Sequence, residues 1–287
     1  MAEGIENYFV CIGAQKAGTT WLARTLARHP DIFFTPVKEI HYFDHIGGIT
    51  QHLSNAKRRS RYRKYHQRLW TQLHRWPEHR NHWSWYRDYM RDPIDDAWYR
   101  NLFRHRGEAT FAGEATPEYA LIGEAGLQHI KKLAPNARLL FIMRNPVTQC
   151  WSQVLHNARS NGTDVSNASE DEIFRLADSE RFRALSDYLQ VVDCLKRVFV
   201  PEQVRFEFYE DIHSDHGAAL DRLCTFIGID PFPADLSGST KLINPSQSVP
   251  MPNTVRAHFQ EKYRDMAAEI GTRFARLPDE WVKEFAL

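Results

Sequence analysis

The sequence predicts an α/β protein built as a three-layer sandwich, with a central parallel sheet flanked by helices. Three observations carry this. Residues 8–12 and Arg138–Met143 are apolar runs of strand length, each followed by a helical pattern. Val204–Phe208 alternates like a strand after a long amphipathic stretch. The 287 residues contain no repeat and no low-complexity linker, so one core is expected: a single domain over 1–287, with a basic, Trp-rich insertion at about 51–107.

The first strand runs into Gly13-Ala14-Gln15-Lys16-Ala17-Gly18-Thr19-Thr20, and then into a helix with Leu22 and Leu26 one turn apart, closed by His29-Pro30. Strand, glycine loop and helix is the arrangement in which free N–H groups and the helix dipole hold a phosphate. The nucleotide-triphosphatase loop reads G-x-x-x-x-G-K-[ST]. Gly13, Gly18 and Thr20 fit that frame, but Thr19 takes the lysine position and the only lysine is Lys16. The loop is therefore P-loop-like without the lysine a Mg²⁺–triphosphate requires. A kinase for a small molecule would need that lysine at 19; a tight turn that binds nothing would share the outline.

Residues 31–36 read as extended, and Lys38-Glu39-Ile40-His41-Tyr42-Phe43-Asp44 follows. In a doubly wound sheet such a string opens onto the crevice at the strand ends; a solvated surface turn is the alternative. The insertion begins with Lys57-Arg58-Arg59-Ser60-Arg61-Tyr62-Arg63-Lys64 and continues through Trp70, Trp76, Trp83, Trp85 and Trp98. Three readings stand: a helical insertion packed by its tryptophans, a module for nucleic acid or another polyanion, or a lid on the acceptor side of a cleft.

The core pattern resumes at Gly113-Glu114-Ala115-Thr116-Pro117-Glu118-Tyr119. A helix over 126–133 leads to Arg138–Met143, a candidate for the central strand, which ends at Arg144-Asn145-Pro146. The helix that follows, 147–158, carries Ser152 and His156. Leu185, Leu189, Val192 and Leu195 give residues 179–199 the spacing of one amphipathic helix. After Val204–Phe208 come an acidic turn, Tyr209-Glu210-Asp211, a short helix over 221–227 and a polar loop over 241–252. Val255, Phe259, Tyr263, Met266, Ile270 and Phe274 form the stripe of a terminal core helix.

Composition narrows the function classes. A formal charge of +1 gives no general coat for nucleic acid, so any basic site is local. Aromatics at 13% fit a large core with a lined cleft. Cys11, Cys150, Cys194 and Cys224 have no C-x-x-C pairing and are expected as free buried thiols. The 14 histidines form no metal-ligand pattern, so no metal is expected. With no leader pattern and no apolar run near 20 residues, the protein is expected to be soluble and cytoplasmic.

Four strings together resemble the sulfotransferases that use 3′-phosphoadenylyl sulfate (PAPS). The loop with Lys16 before its second glycine, followed by Thr19-Thr20-Trp21-Leu22, resembles their 5′-phosphosulfate loop. Lys38–Asp44 resembles the K-E-x-H-[FY]-F-D string of the Golgi-type carbohydrate enzymes, such as the heparan sulfate 3-O- and N-sulfotransferases. Leu139 to His156 resembles the 3′-phosphate motif, and Gly113–Tyr119 resembles the E-x-[ST]-P-x-Y turn. The resemblance implies that Lys16, Ala17, Gly18, Thr19, Thr20 and Trp21 hold the 5′ end of the donor, and that Arg144 and Ser152 hold its 3′-phosphate. It further implies that Lys16 and Glu39 are catalytic, Glu39 as base with His41 and His156 as rivals. Adenosine 3′,5′-bisphosphate would be the product, no metal would be needed, and the acceptor would be a sugar or a small alcohol or amine, with no nucleic acid or membrane span involved. Ala115 stands where several carbohydrate enzymes have lysine, so whatever that lysine does is absent here or supplied elsewhere. The 241–252 loop resembles the stretch that closes over the nucleotide.

Overall fold

The computed structural model describes residues 4–71, 82–232 and 249–287. Trp76 and most of the predicted 241–252 loop lie outside the described residues, as does the side chain of Trp70. Five strands, β1 (Tyr8–Gly13), β2 (Ile32–Phe34), β3 (Phe111–Ala115), β4 (Arg138–Met143) and β5 (Val204–Phe208), form one parallel sheet in the order β2-β3-β1-β4-β5. Helices flank it, so the P-loop-like three-layer α/β sandwich is the fold. All six residues of β1 are buried, as are the last five of β4, which is why both read as unbroken apolar runs. The middle of the sheet is β1, with β4 beside it; Val10 stands opposite Glu114 on one side and Leu139 on the other.

The chain crosses from β1 to β2 at one edge, returns through β3, and passes over β1 to β4 and β5. That reversal opens a crevice at the carboxyl ends of the strands. Helix α1 (Thr19–Leu26) leaves the crevice through Gly18, whose left-handed φ of 77° begins the helix. A Cβ at Gly18 would come within 3.1 Å of the Tyr209 ring, so both torsion and space call for glycine. The helix Pro146–Ser160 starts as its sequence dictates, with Pro146 in the first turn and the Asn145 side chain capping Val147 N–H at 3.0 Å.

Three local expectations are corrected. The amphipathic stretch 179–199 is two helices, Glu180–Ser186 and Tyr188–Val198, because Asp187 leaves helical torsions and caps Gln190 N–H at 3.0 Å. The acidic turn after β5 is the first turn of a helix, Tyr209–Ser214. The insertion is helical, including Asn55–Thr71, Trp83–Tyr89 and Asp96–Leu102, but its tryptophans divide. Trp85 and Trp98 are buried, whereas Trp83 is 61% exposed. Nor is its basic run wholly solvated: Arg58 is buried and donates to the carbonyls of Tyr89 and Arg91, both at 2.9 Å, closing the end of a neighbouring helix.

The four cysteines are free and buried. Burial pushes the Cys11 thiol up to about 12 and those of Cys150 and Cys224 to about 11, which leaves them unreactive. The helix Asn253–Phe274, expected as terminal but followed by a short helix, Asp279–Phe285, buries Val255, Phe259, Tyr263 and Ile270, while Met266 and Phe274 are only partly covered. No described helix is long and apolar enough to cross a membrane.

Candidate active site

Each strand delivers one part of the site from its carboxyl end. β1 gives Gln15 and Lys16, β2 gives Glu39 and His41, β3 gives Glu118, β4 gives Arg144 and β5 gives Tyr209. The parts form two walls of opposite character.

The first wall is cationic. Lys16 stands in the loop with a left-handed φ of 68°. Arg144 Nη1 donates to the Lys16 carbonyl at 2.8 Å, its Nε donates to Thr148 Oγ1 at 3.1 Å, and its guanidinium lies 4.6 Å from the Tyr209 ring centroid. Burial lowers the Lys16 pKa, and the charges of Arg144, Arg159 and Lys38 lower it further, against the opposite pull of Glu39. Cations crowded so that they disfavour one another are arranged for an anion. Behind the loop, Trp21 lies 4.7 Å from the ring of His216, and His213 lies 4.0 Å from that of Tyr209. Burial, His216 and Arg144 hold His213 down at about 4, so this aromatic belt is uncharged at His213 near neutrality.

The second wall is a chain of carboxylates around one imidazole. Lys38 Nζ donates to Glu39 Oε1, and Glu39 Oε2 lies 3.8 Å from His41 Nε2. His41 Nδ1 faces Asp44 Oδ2 at 2.9 Å, and Thr50 also donates to that oxygen. Burial works against the charge on both Glu39 and His41, but their partners outweigh it. Glu39 is held at about 2 by His41 and Lys38, and His41 is lifted to about 9 by Asp44 and Glu39. Both sit in left-handed torsions, each with φ 63°. For residues with a side chain this costs roughly 1–2 kcal/mol apiece, a strain that clusters at working sites.

Glu39, His41 and Glu118 each place a ligand atom within 4.8 Å of the others. Within this trio the Glu39 carboxylate is paired with Lys38 and lies beside the His41 ring. Glu118 is buried, and burial raises its carboxyl pKa. Its Oε1 accepts from Gln15 Nε2 at 2.7 Å, while Oε2 is buried with no hydrogen-bond partner among the described residues.

A glutamine network joins the walls to the flanking helix. Gln153 Nε2 donates to Gln15 Oε1 at 2.5 Å, and Gln149 Nε2 donates to the Gln15 carbonyl at 3.0 Å. Ser186 Oγ in turn donates to Gln149 Oε1 at 2.9 Å. Gln15 thus holds both its own loop and Glu118.

The structure brings Lys16, Glu39 and Arg144 to one cleft. Ala17, Gly18, Thr19, Thr20 and Trp21 follow Lys16 through the loop into α1, where Thr19 and Trp21 are buried. Ser152 is buried two turns into the helix that also carries Gln149 and Gln153. His156 is exposed on that helix; burial and the charges of Lys16 and Arg159 lower its pKa. Sequence reasoning missed Gln15, Gln149, Gln153 and Glu118, and also the belt of Tyr209, His213 and His216. The i, i+4, i+7 spacing of the belt, just past a strand end, was the available signal.

A P-loop-like fold whose cationic loop faces a carboxylate–imidazole pair is arranged to receive an anion. Residues 9–234 match the profile of the sulfotransferase family. The chain belongs to that family, and as such it is an enzyme, a transferase of sulfuryl groups. Solved structures agree on the fold. A sulfotransferase from Alicyclobacillus acidocaldarius has a TM-score of 0.62 at 23% identity over 98% of this chain and 99% of that one. The sulfotransferase domain of the Synechococcus PCC 7002 olefin synthase gives 0.52 at 17%, covering 89% and 85%. Sulfotransferase STF9 from Mycobacterium avium gives 0.55 at 14%, covering 96% and 78%. No curated protein is matched by sequence.

Proposed function

We propose that the chain transfers a sulfuryl group from PAPS to a hydroxyl or amine of a carbohydrate or small-molecule acceptor. The observation that carries this is the placing of Lys16. It lies at the crest of the loop, among Arg144, Arg159 and Lys38, with Glu39 as its acidic neighbour. A triphosphate site puts its lysine at the helix start, where this chain has Thr19.

In this reading the loop amides, Lys16 and the hydroxyls of Thr19 and Thr20 hold the 5′-phosphosulfate, with Trp21 beside the nucleotide. Arg144 and Ser152 hold the 3′-phosphate, Arg144 by its fork of donors. The acceptor oxygen or nitrogen attacks sulfur in line with the bond to the leaving phosphate. The new S–O or S–N bond forms as that S–O bond breaks, adenosine 3′,5′-bisphosphate departs, and the acceptor proton passes to Glu39. At about 2, Glu39 is a weak base while Lys38 and His41 neutralise it. Entry of the acceptor displaces Lys38, which raises the proton affinity of Glu39 and frees a second ammonium for the sulfuryl oxygens. No metal is assigned a role, and the 51–107 segment belongs to the same domain as the sheet.

The test is turnover of sulfur-labelled PAPS with a panel of sugars, phenols, amines and lipids, alongside calorimetry with adenosine 3′,5′-bisphosphate and with ATP plus Mg²⁺. Acceptor-dependent label transfer is expected, together with a preference of at least roughly tenfold for the bisphosphate, from a charge-assisted contact of about 1.5–3 kcal/mol. Equal or tighter Mg²⁺-dependent binding of ATP would make the protein a kinase.

A further inference from the structure

Glu114 is fully buried inside β3, next to the middle strand, and five donors converge on its carboxylate. Ile40 N–H (3.2 Å), Thr116 Oγ1 (2.6 Å) and Tyr119 Oη (2.8 Å) donate to Oε1. Tyr8 Oη (3.1 Å) and Tyr99 Oη donate to Oε2, and the two phenol oxygens are themselves 2.5 Å apart. Tyr119 Oη also accepts from Tyr42 N–H at 3.0 Å.

Ile40 and Tyr42 are the residues that follow Glu39 and His41, both of which are in left-handed torsions. One carboxylate, directly and through one phenol, therefore grips the amide on the far side of each strained residue. Tyr99 comes from the insertion helix Asp96–Leu102 and stacks on Tyr42 at 4.5 Å. A backbone in a sparsely populated region persists only where its surroundings over-determine it. Here the surroundings are this carboxylate and its tyrosines.

We propose that Glu114 is a positioning residue, a clamp that holds Glu39 and His41 in their working torsions and ties the 51–107 segment to the site through Tyr99. The proposal rests on the reading of Glu39 as base, and it requires accepting oxygens at Glu114 rather than its charge. Glu114→Gln keeps one oxygen for Ile40, Thr116 and Tyr119, while its amide can donate to phenols free to rotate into acceptors. Glu114→Ala keeps neither.

The experiment measures kcat with PAPS and the acceptor returned by the screen, Kd for adenosine 3′,5′-bisphosphate, and hydrogen exchange at the Ile40 and Tyr42 amides. Expected are a kcat within about threefold of wild type for Glu114→Gln and a fall of about thirtyfold or more for Glu114→Ala. Tyr119→Phe should lose about tenfold and Tyr99→Phe a few-fold, with Kd unchanged within about twofold in both, so the test survives if Glu114→Ala does not fold. Exchange at Tyr42 should quicken about tenfold or more in Tyr119→Phe while the amides of β1 and β4 keep theirs. Glu114→Gln falling as far as Glu114→Ala would overturn the clamp, as would Kd weakening in step with kcat. Full activity in Glu39→Gln would defeat the base reading instead, and exchange at Ile40 and Tyr42 would then decide the clamp alone.

Discussion

In the function proposed above the cationic wall meets the donor and the carboxylate–imidazole wall meets the acceptor, and the two walls are built by different means. The donor wall is a contiguous loop plus one arginine, and its charges repel one another, so it is completed only by an anion. The acceptor wall is already neutralised, with Lys38, Glu39, His41 and Asp44 paired in sequence from surface to core. A wall of unmatched charge binds a ligand strongly. A wall of matched charge must exchange a partner before it can act, so its contribution belongs to turnover more than to affinity.

The largest expected effect tests the junction of the two walls. Lys16→Ala should lower kcat by roughly 10²–10³-fold, the range for one lost donor at a developing oxyanion. Affinity for adenosine 3′,5′-bisphosphate should fall less than about tenfold, because Arg144 and the loop amides remain. Wholesale loss of nucleotide binding with normal turnover at saturation would make Lys16 a tether and erase the distinction between the walls.

Next comes Glu39→Gln, which keeps shape and removes basicity. A fall in kcat of about 10²-fold is expected, with nucleotide affinity unchanged within about twofold. If the glutamine variant stays active while His41→Ala or His156→Ala is dead, the proton goes to a histidine. Of the two, only His41 is buried beside Glu39; His156 stands exposed on the neighbouring helix.

The same division decides how much the sequence disclosed. The donor wall was legible because its parts are a loop and the end of an apolar strand, features with a fixed period and a glycine requirement. The string around Glu39 was legible as a pattern, but its torsions were not. Left-handed Glu39 and His41 are imposed by Glu114, 75 residues from Glu39 in the chain, and long-range hydrogen bonds leave no period to read. Gln15 and Glu118 escaped for a similar reason, since each is ordinary until the other is beside it. The helix over 179–199 concealed its break because the apolar spacing runs on through Asp187, although a Ser-Asp pair ahead of an apolar run was a capping signal. The insertion hid most, because its burial rests on aromatic stacking, such as Trp85 on Tyr89 at 5.0 Å and Tyr65 on Tyr86 at 4.0 Å, rather than on a helical stripe.

A smaller effect probes the donor wall alone. Arg144→Lys keeps the charge but loses the planar fork, the bond to the Lys16 carbonyl and the face set over Tyr209. Affinity for adenosine 3′,5′-bisphosphate should drop roughly tenfold, that for AMP by about threefold or less, and kcat at saturation should change little. Equal losses for both nucleotides would take the 3′-phosphate away from Arg144 and assign the residue to the loop.

The smallest expected effect is a near-absence of change, and it isolates the acceptor wall. Glu39 is held at about 2 and His41 is lifted to about 9, so between pH 5 and 8 neither alters its charge. Turnover should therefore vary less than about twofold across that range and change only as pH passes about 9, where His41 gives up its proton and the charge facing Glu39 is altered. Stability carries the same signature with opposite limits. The folded pKa of His41 lies above its ordinary 6.5, so its contribution is whole below 6.5 and is lost as pH rises through about 9. Glu39 lies below its ordinary 4.5, so its contribution is whole above 4.5 and is lost as pH falls toward 2. The two overlap in full only between about 4.5 and 6.5, where thermal unfolding of the wild type should gain most over Glu39→Gln. A base with a free histidine's pKa would instead make turnover climb through the acid half of the pH 5–8 range, by up to tenfold per unit below that pKa. A rate profile of that shape would move the proton from Glu39 to a neutral imidazole, and the acceptor wall would then work by an unmatched group, as the donor wall does.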